Sequence, residues 1–309
     1  DLTVLHQMDA GKKSASSILY KPKDSYRTKG GVARTPSKTA GVNHPNGVIT
    51  HFYLKNVTEK DSISLTFTSM SGDTLANYSN SSKDKDKKLK VKKGGNTFVW
   101  DTRGKGAKKL EGMILWWASL DGAKAVPGDY KVHLNVNGDS TSETFKIIPD
   151  PRAEVSVADM QKQFNFITDI NTTIEKAHQS IEKIRKVTKQ LDAFTKQYKD
   201  NEQTKDLVEK AKKMKESLAT VEKALYQTKN RSGQDPLNFP IRLNNKLGHL
   251  NSLVAIDDFP PTEQDIAVKN ELTGQINDQL EAFNAVLDKE LKEFNTAFNA
   301  LKLNYLFVE

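Results

Sequence analysis

The sequence predicts a multidomain β + α protein in which an antiparallel β-sandwich is followed by an elongated antiparallel helical bundle. Three observations support this fold class. Apolar and polar residues alternate before residue 150, apolar residues recur every three or four positions after Pro151, and turn-forming dipeptides separate the alternating runs. The segment IIPDPRAEVSVADMQ, where the period changes, therefore marks the boundary between a sheet region and a helical region.

The alternating runs predict an Ig/fibronectin-III-like sandwich over residues 46–150. The runs SISLTFTS and DYKVHLNVNG each place their apolar residues on one face of a strand. Turn signals at short intervals, such as Pro127-Gly128 and Asn137-Gly138, are typical of antiparallel sandwiches. The expected inward residues are Ile63, Leu65 and Phe67 in the first run and Tyr130, Val132, Leu134 and Val136 in the second.

Residues 1–45 differ from this pattern because they hold few apolar residues. We expect an irregular lead-in from a missing upstream domain, with one strand at Ser17–Tyr20. The chain begins with Asp1 rather than methionine, which favours a mature or excised piece of a larger protein.

Residues 151–309 carry the three-then-four spacing of amphipathic helices. The predicted helices span about 156–199, 202–228, 240–256 and 262–304. Pro260 and Pro261 separate the last two, because proline cannot continue a helical hydrogen-bond ladder. Val268 is placed on the apolar face of the last helix. The helix lengths favour a three-membered bundle with a broken middle member, and a four-helix bundle with one short member is the alternative.

Composition and charge exclude several classes of site. The chain has 309 residues, a net charge of +8 and no cysteine, which excludes disulfides, thiolate zinc sites and cysteine nucleophiles. The basic excess lies in residues 1–150, which hold 24 Lys and Arg against 15 Asp and Glu. No apolar run approaches the roughly 18 residues that a membrane span needs, so no membrane insertion is expected.

The pair Trp100-Asp101 raises the question of a catalytic carboxylate. Trp100 and Phe98 share one strand face, so Trp100 is expected in the sandwich core. Catalysis by paired carboxylates would need a second acid, but Arg103 and Lys105 follow instead. Asp101 is therefore expected to accept backbone N–H bonds in a turn.

The run MILWWASL contains two adjacent tryptophans and is interpreted as a strand. If Trp117 points inward with Met113 and Leu115, Trp116 points outward. An outward indole either packs on another part of the same protein or stacks on a sugar ring. Trp116 is therefore the candidate carbohydrate-binding residue.

A lysine-rich run, SSKDKDKKLKVKKGG, forms a candidate basic patch. It lacks interleaved aromatic residues and contains Asp84 and Asp86, which favours a solvated loop and a lysine-guarded edge strand over an anionic-ligand site. No nucleic-acid partner is expected. The patch consists of Lys87, Lys88, Lys90, Lys92 and Lys93.

Other catalytic and metal-binding patterns are missing from the sequence. The six histidines are scattered, and there is no H-E-x-x-H motif, no G-x-S-x-G motif and no phosphate-binding glycine loop. We therefore predict no catalytic residue, no metal site, no cofactor and no enzymatic activity for this chain. His178 is expected at the boundary of the apolar face of the first long helix.

Four segments, GVNHPNGVITHFYLKN, GGNTFVWDTRG, VPGDYKVHLNVNG and IIPDPR, occur in an order that resembles one family. It is the C-terminal region of the BNR-repeat, sortilin-like propeller proteins of Bacteroidota, which are often labelled glycosyl hydrolases. The motif G-N-x-F-x-W-D at residues 95–101, together with P-G-x-Y at residues 127–130, is also similar to the Ig-like module of flagellar hook-capping proteins. The resemblance implies a secreted, periplasmic or cell-surface protein whose upstream β-propellers carry any substrate site.

These observations lead to a primary expectation and an alternative. The primary expectation is a non-catalytic structural and protein-interaction region of an exported propeller protein. Its sandwich would dock on the upstream propellers, and its bundle would bind a protein partner or a second copy. The alternative is a carbohydrate-binding accessory module of a glycoside hydrolase, acting through Trp116.

Overall fold

A computed structural model describes residues 2–9, 14–28, 39 and 44–301. It has the mixed β and α content that the sequence predicts, with strands before residue 150 and long helices after it. The chain divides into two compact units. Unit 1 comprises Asp1–Gly106, Asp121–Asn165 and Asp257–Pro260, and unit 2 comprises Ala107–Leu120, Phe166–Ile256 and Pro261–Glu309.

Among the described residues, unit 1 contains eight strands in two sheets. They are β1 Ser17–Leu19, β2 Ser25–Arg27, β3 Val48–Leu54, β4 Ile63–Ser69, β5 Thr74–Ser79, β6 Gly94–Trp100, β7 Gly128–Val136 and β8 Asp139–Pro149. The three-stranded sheet has the order β1-β3-β6, and the five-stranded sheet has the order β2-β8-β7-β4-β5. The only parallel pairing between these strands joins β2 to β8.

The lead-in is more regular than the sequence suggests. It contributes the expected strand as β1, but it also contributes β2 and a short helix, α1, at Thr3–His6. Residues 20–24 carry the chain from β1 in one sheet to β2 at the edge of the other. Because β2 arrives by this route rather than through a hairpin from β8, it can pair in the parallel sense, which the expectation of an antiparallel sandwich missed.

The expected inward residues of β4 are fully buried, as the alternation predicts. The alternation then fails at one point, because a β-bulge between Phe67 and Thr68 shifts the register and buries Thr68 as well. Trp100 is fully buried and stacks on Phe67 with 4.5 Å between ring centroids. These contacts place the core between β4 and β6.

Asp101 occupies the turn that the sequence predicts. Its Oδ1 accepts a hydrogen bond from the backbone N of Arg103 at 3.0 Å. The indole Nε1 of Trp100 donates to the backbone O of Arg103 at 2.9 Å, so the same turn satisfies the buried indole. Gly47 has a φ of +121°, and a Cβ there would lie 2.0 Å from the backbone O of Trp100, so only glycine fits beside the end of β6.

Long helices follow Pro149. They are α2 Val157–Tyr198, α3 Lys205–Leu225, α4 Leu243–Val254, α5 Glu263–Ala285, a π-helical turn at Val286–Leu291 and α6 Lys292–Ala300. Ser156 caps α2, since its Oγ accepts from the backbone N of Asp159 at 3.1 Å. Thr262 and Asp265 form a complete capping box at the start of α5.

Within unit 2, α2 contacts three other helices. Arg185 of α2 pairs with Glu222 of α3 at 2.7 Å, and Asp169 of α2 pairs with Lys269 of α5 at 2.9 Å. Phe194 meets Phe294 of α6 edge to face. The apolar residues at the three-then-four spacing of α2, α3 and α4 are buried, for example Ile174, Met214 and Leu247.

The placement of Val268 on the buried face of the last helix is wrong. Val268 is 43% exposed, whereas Leu272, one turn later on the same face, is buried. The helical period continues to the start of α5, but the burial of this face begins only at Leu272. Periodicity identifies the face of a helix and does not show how far along it packing extends.

Arg27, at the end of β2, is a buried cation in unit 1. Its side chain is 1% exposed, and its Nη2 donates to Gln163 Oε1 at 3.1 Å and pairs with Asp258 Oδ1 at 2.9 Å. Burial lowers the pKa of Arg27, and the charge of Asp258 opposes that shift. Its Nε and Nη1 have no hydrogen-bond partner, so Asp258 is the main compensation for a costly buried charge.

We therefore predict that Asp258→Ala lowers the free energy of unfolding by about 3–5 kcal/mol, because it leaves the Arg27 charge buried and unpaired. Urea denaturation followed by circular dichroism measures this. Asp129→Ala is the matched control, since Asp129 pairs with Lys146 at 3.7 Å with both side chains more than half exposed. Its expected cost is about 0–1 kcal/mol. Equal losses for the two variants would contradict the prediction.

Candidate binding site

Residues Ala107–Leu120, here named the 107–120 loop, interrupt the sheet sequence and belong to unit 2. The interpretation of MILWWASL as a strand is wrong, because the described chain has no strand between β6 and β7. The ends of the loop are close together. Ala107 N donates to Leu120 O at 2.9 Å, and just outside the loop Gly104 N donates to Ala123 O at 2.8 Å.

The first part of the loop is held by one face of α2. The backbone N of Lys108 donates to Glu175 at 2.6 Å, and its ammonium group donates to Glu182 at 3.0 Å. The hydrogen bond and charge of Glu182 raise the pKa of Lys108. The backbone O of Lys108 accepts from Nδ1 of His178 at 2.6 Å. Glu175, His178 and Glu182 are spaced so that all three lie on the same side of the helix.

His178 is a buried polar link rather than a residue at the boundary of the apolar face. It is 1% exposed. Because the carbonyl of Lys108 only accepts, Nδ1 carries the proton and Nε2 is left to accept from Asn244 Nδ2 at 3.1 Å. Asn244 Oδ1 is buried without a hydrogen-bond partner. Burial lowers the pKa of His178, so the neutral ring fits this site.

The centre of the loop is bound by Asn245 of α4. Asn245 Oδ1 accepts from the backbone N of Trp116 at 2.6 Å, and its Nδ2 donates to the backbone O of Trp116 at 2.8 Å. This pair of bonds is what a neighbouring strand would supply to a residue in a sheet. A side chain on a helix therefore replaces a strand partner, which explains why an asparagine is almost fully buried in α4.

The residues on either side are held in the same way. Tyr226 Oη accepts from the backbone N of Ile114 at 3.1 Å, and Gly248 O accepts from the backbone N of Ser119 at 3.0 Å. A Cβ on Gly248 would lie 3.0 Å from the Cβ of Ala118. The loop therefore lies directly on the backbone of α4 at this point, and a glycine permits that approach.

Trp117 adopts a backbone conformation that a bulky residue rarely takes. Its φ is +49°, and its side chain is 74% exposed. Such a conformation costs on the order of 1–3 kcal/mol. It is held because the carbonyl O of Trp117 accepts from His249 Nδ1 at 2.8 Å and from Ser252 Oγ at 3.0 Å. The fold thus fixes Trp117 in a strained conformation with its indole in solvent.

The sequence-based choice between the two indoles is reversed. Trp117 is the exposed ring, and Trp116, the predicted carbohydrate-binding residue, is half-buried beside it. The two rings are parallel, with 6.0 Å between centroids and 7° between planes. Strand alternation placed them on opposite faces, but the left-handed turn at Trp117 brings both rings to one side.

The predicted basic patch lies in unit 1, where the segment is anchored by buried Leu89 between β5 and β6. Lys87 is half-buried, with Nζ 5.0 Å from the ring centroid of Tyr78. None of the five lysines forms an ion pair with a described residue. The exposed members are Lys88, Lys90, Lys92 and Lys93.

Unit 1 also has a small cavity of about 50 Å³, lined among others by Asp24, His44 and His51. Burial lowers the pKa of His51, whose Nδ1 lies 3.0 Å from Thr97 Oγ1. In the described part of the chain, no group of three or more His, Asp or Glu side chains is arranged to hold a metal ion. None of the described helices combines the length and apolar character that crossing a bilayer requires.

No family model and no curated protein matches this sequence. Among solved structures, the chain is similar to pT26-6p at 13% identity, with a TM-score of 0.12. The alignment covers 82% of this chain and 46% of that one, so this chain spans less than half the length of pT26-6p. A likeness at this TM-score carries no argument about fold or function.

The role of Asn245 leads to a prediction for the loop. Asn245→Ala leaves both backbone groups of Trp116 without their partners, so we expect the free energy of unfolding to fall by about 1–3 kcal/mol. Trypsin should also cut faster after Lys108 and Lys109. Lys246→Ala, at the adjacent exposed position of α4, is the control and should stay within about 0.5 kcal/mol of the original protein. Unchanged stability and proteolysis in Asn245→Ala would show that these bonds do not hold the loop.

His178 leads to a prediction about pH. Burial holds the folded-state pKa of His178 below its ordinary value of 6.5, so the unfolded chain binds more protons than the folded chain once the pH falls to about 6.5. Stability supplied by neutral His178 is therefore present above that pH and is lost in acid. We expect the free energy of unfolding to fall more steeply between pH 7.5 and pH 5 in the original protein than in His178→Gln, which keeps one donor and one acceptor without titrating. The slope difference is at most about 1.4 kcal/mol per pH unit. Parallel profiles from urea titrations would refute this.

Proposed function

We propose that this chain is a non-catalytic interaction region of a larger exported protein, and that its 107–120 loop presents the binding surface. The observation that carries the proposal is Trp117, which is exposed in a left-handed conformation held by α4. Exposing a large indole in a strained conformation lowers stability without a gain in packing. Strain of this kind is concentrated at binding and catalytic sites, which supports a binding role.

The anchoring of the loop also supports this proposal. Hydrogen bonds from α2 and α4 fix the backbone on both sides of the exposed ring, at Lys108, Trp116 and Ser119. A surface that is already ordered loses little conformational entropy when it binds. The backbone of the loop is therefore ordered before binding, although the loop forms no helix or strand.

We propose that the sheets of unit 1 form an Ig-like sandwich and that the helices of unit 2 form a helical bundle. One buried cluster draws on both sheets, with Trp100 from one and Phe67 and Phe145 from the other. Tyr130 Oη donates to the backbone O of Val126 at 2.6 Å, which is similar to the tyrosine corner of Ig-type sandwiches.

The proposed partners follow from the family resemblance and from the surface of unit 2. The sandwich would dock on upstream β-propellers of the same secreted, periplasmic or cell-surface protein, and the bundle would bind a protein partner or a second copy. Exposed apolar side chains support an interaction role for the helices, and they are Leu253, Ile256, Ile266 and Val268.

A carbohydrate-binding accessory module is the second candidate. The parallel indoles of Trp116 and Trp117 favour it, because a flat aromatic face is exposed on a residue whose carbonyl is bonded to the polar side chains of His249 and Ser252. The two candidates place the binding surface on the same loop and differ in the ligand.

Binding to cell envelopes of the source organism tests the proposal. The purified chain should co-sediment with envelopes, and Trp117→Ala should reduce the bound fraction about tenfold, because the exposed ring is the proposed contact. Leu237→Ala is the control, since Leu237 is 69% exposed in unit 2 and lies outside the loop and α4.

Treating the envelopes beforehand separates the two candidates. Loss of binding after protease digestion indicates a protein partner, and loss after periodate oxidation indicates a glycan. Binding that is absent, or that is equally strong in Trp117→Ala, would overturn the proposed binding role of the loop.

A further inference from the structure

We infer that the exposed face of Trp117, together with Nε2 of His249, whose ring is bonded to the carbonyl of the same residue, binds the ring face of a single pyranose unit. This inference rests on the proposed binding role of the 107–120 loop, and it names the ligand class of that surface. It differs from the sequence-based expectation, which gave the role to Trp116.

The first step is the availability of a flat, fixed aromatic face. Trp117 is 74% exposed, and Trp116 lies parallel to it with 6.0 Å between ring centroids, so the indole of Trp117 presents a flat face to solvent. The backbone that carries the ring is fixed. Its backbone carbonyl is held by His249 and Ser252, and the preceding residue is held at both polar groups by Asn245.

The second step is a hydrogen-bond acceptor on His249, whose imidazole contacts the backbone carbonyl of Trp117. His249 is half-buried, and its Nδ1 donates to the carbonyl O of Trp117, which can only accept. This bond fixes the tautomer, so Nε2 of the neutral imidazole is an acceptor, and it has no partner among the described residues. A hydroxyl group is the complementary ligand, since it donates to a nitrogen acceptor without bringing a charge.

A sugar ring combines the two features that this surface can recognise. One face of a pyranose presents C–H groups, which pack on an indole, and its edge presents hydroxyl groups. A quaternary ammonium ligand fits less well, because such cations are held in cages of aromatic rings at angles to one another and these two rings are parallel. A protein ligand would instead extend over two exposed apolar residues, Leu253 in the last turn of α4 and Ile256 just beyond the helix.

The stacking of the two indoles also limits the length of sugar that can be bound. Side-by-side coplanar rings would offer a platform to several successive sugar units. Here Trp116 lies parallel to Trp117 and half-buried, so the site offers one open indole face. We therefore expect recognition of a single unit, such as the end of a chain or a branch.

Titration of the purified full chain with defined sugars tests the inference. The probes are glucose, N-acetylglucosamine and mannose, each as a monosaccharide and as linear trimers and hexamers, with binding followed by isothermal calorimetry. We expect saturable binding of at least one series, with the affinities for trimer and hexamer within about twofold of each other. Trp117→Ala should lower that affinity at least about tenfold, and Leu237→Ala should leave it unchanged.

A matched pair of variants tests whether Nε2 of His249 accepts a hydrogen bond from the sugar. His249→Phe and Ser252→Ala each remove one hydrogen bond to the carbonyl of Trp117, but only the first removes Nε2. We expect His249→Phe to weaken sugar binding several-fold more than Ser252→Ala. Equal losses would show that His249 only positions the loop, and this would overturn its role as an acceptor.

The remaining outcomes overturn the ligand class. No sugar binding up to about 10 mM, or an affinity that rises steeply from trimer to hexamer, would contradict a single-unit pyranose site. If sugars fail to bind while envelope binding depends on both Trp117 and Leu253 and is destroyed by protease, the surface binds protein. In that case the proposed binding role stands and this inference fails.

Discussion

The constraint on which this molecule depends is that backbone polar groups removed from water need hydrogen-bond partners. The middle of the 107–120 loop has no strand beside it, so the partners come from helix side chains. Asn245 binds both polar groups of Trp116, and the carbonyl of Trp117 takes two donors from α4. A typical net hydrogen bond contributes about 1 kcal/mol, so several together offset the 1–3 kcal/mol that a left-handed tryptophan costs. Polar side chains on the buried side of α4 thus stabilise the backbone conformation in which the indole of Trp117 is exposed.

Much of the fold could be predicted from the period of apolar residues. Alternation placed Ile63, Leu65 and Phe67 in the core, and the three-then-four spacing identified the buried faces of α2, α3 and α4. Two failures were local. A bulge at Phe67–Thr68 adds a buried residue that alternation cannot show, and Val268 lies on the right face at a point where the face is exposed. The prediction that all strands pair antiparallel was also wrong, because β2 crosses over from the other sheet and pairs with β8 in parallel.

The candidate site could be predicted only in part, because its structure depends on contacts between distant segments. An apolar run such as MILWWASL fits a strand as well as a buried loop, since apolar content alone does not say what satisfies the backbone. A sequence signal for this site was present in the segment LNNKLGHLNS, where asparagines lie next to the leucines that form the apolar face of a short helix. Asn244, Asn245 and Asn251 are all buried, and polar residues on the inner side of a helix indicate that it binds something other than apolar side chains.

The two ends of the 107–120 loop lie close together, so the loop could change in length or sequence without moving the strands on either side. Hydrogen bonds hold the two ends together, from Ala107 to Leu120 and from Gly104 to Ala123. The pairing of β6 with β3 and of β7 with β4 and β8 involves no residue of the insertion. A connector of another length or composition that closes at the same base would therefore leave both sheets in register, and lengthening it would add little closure entropy. In this sense the 107–120 loop can vary without changing which strands pair.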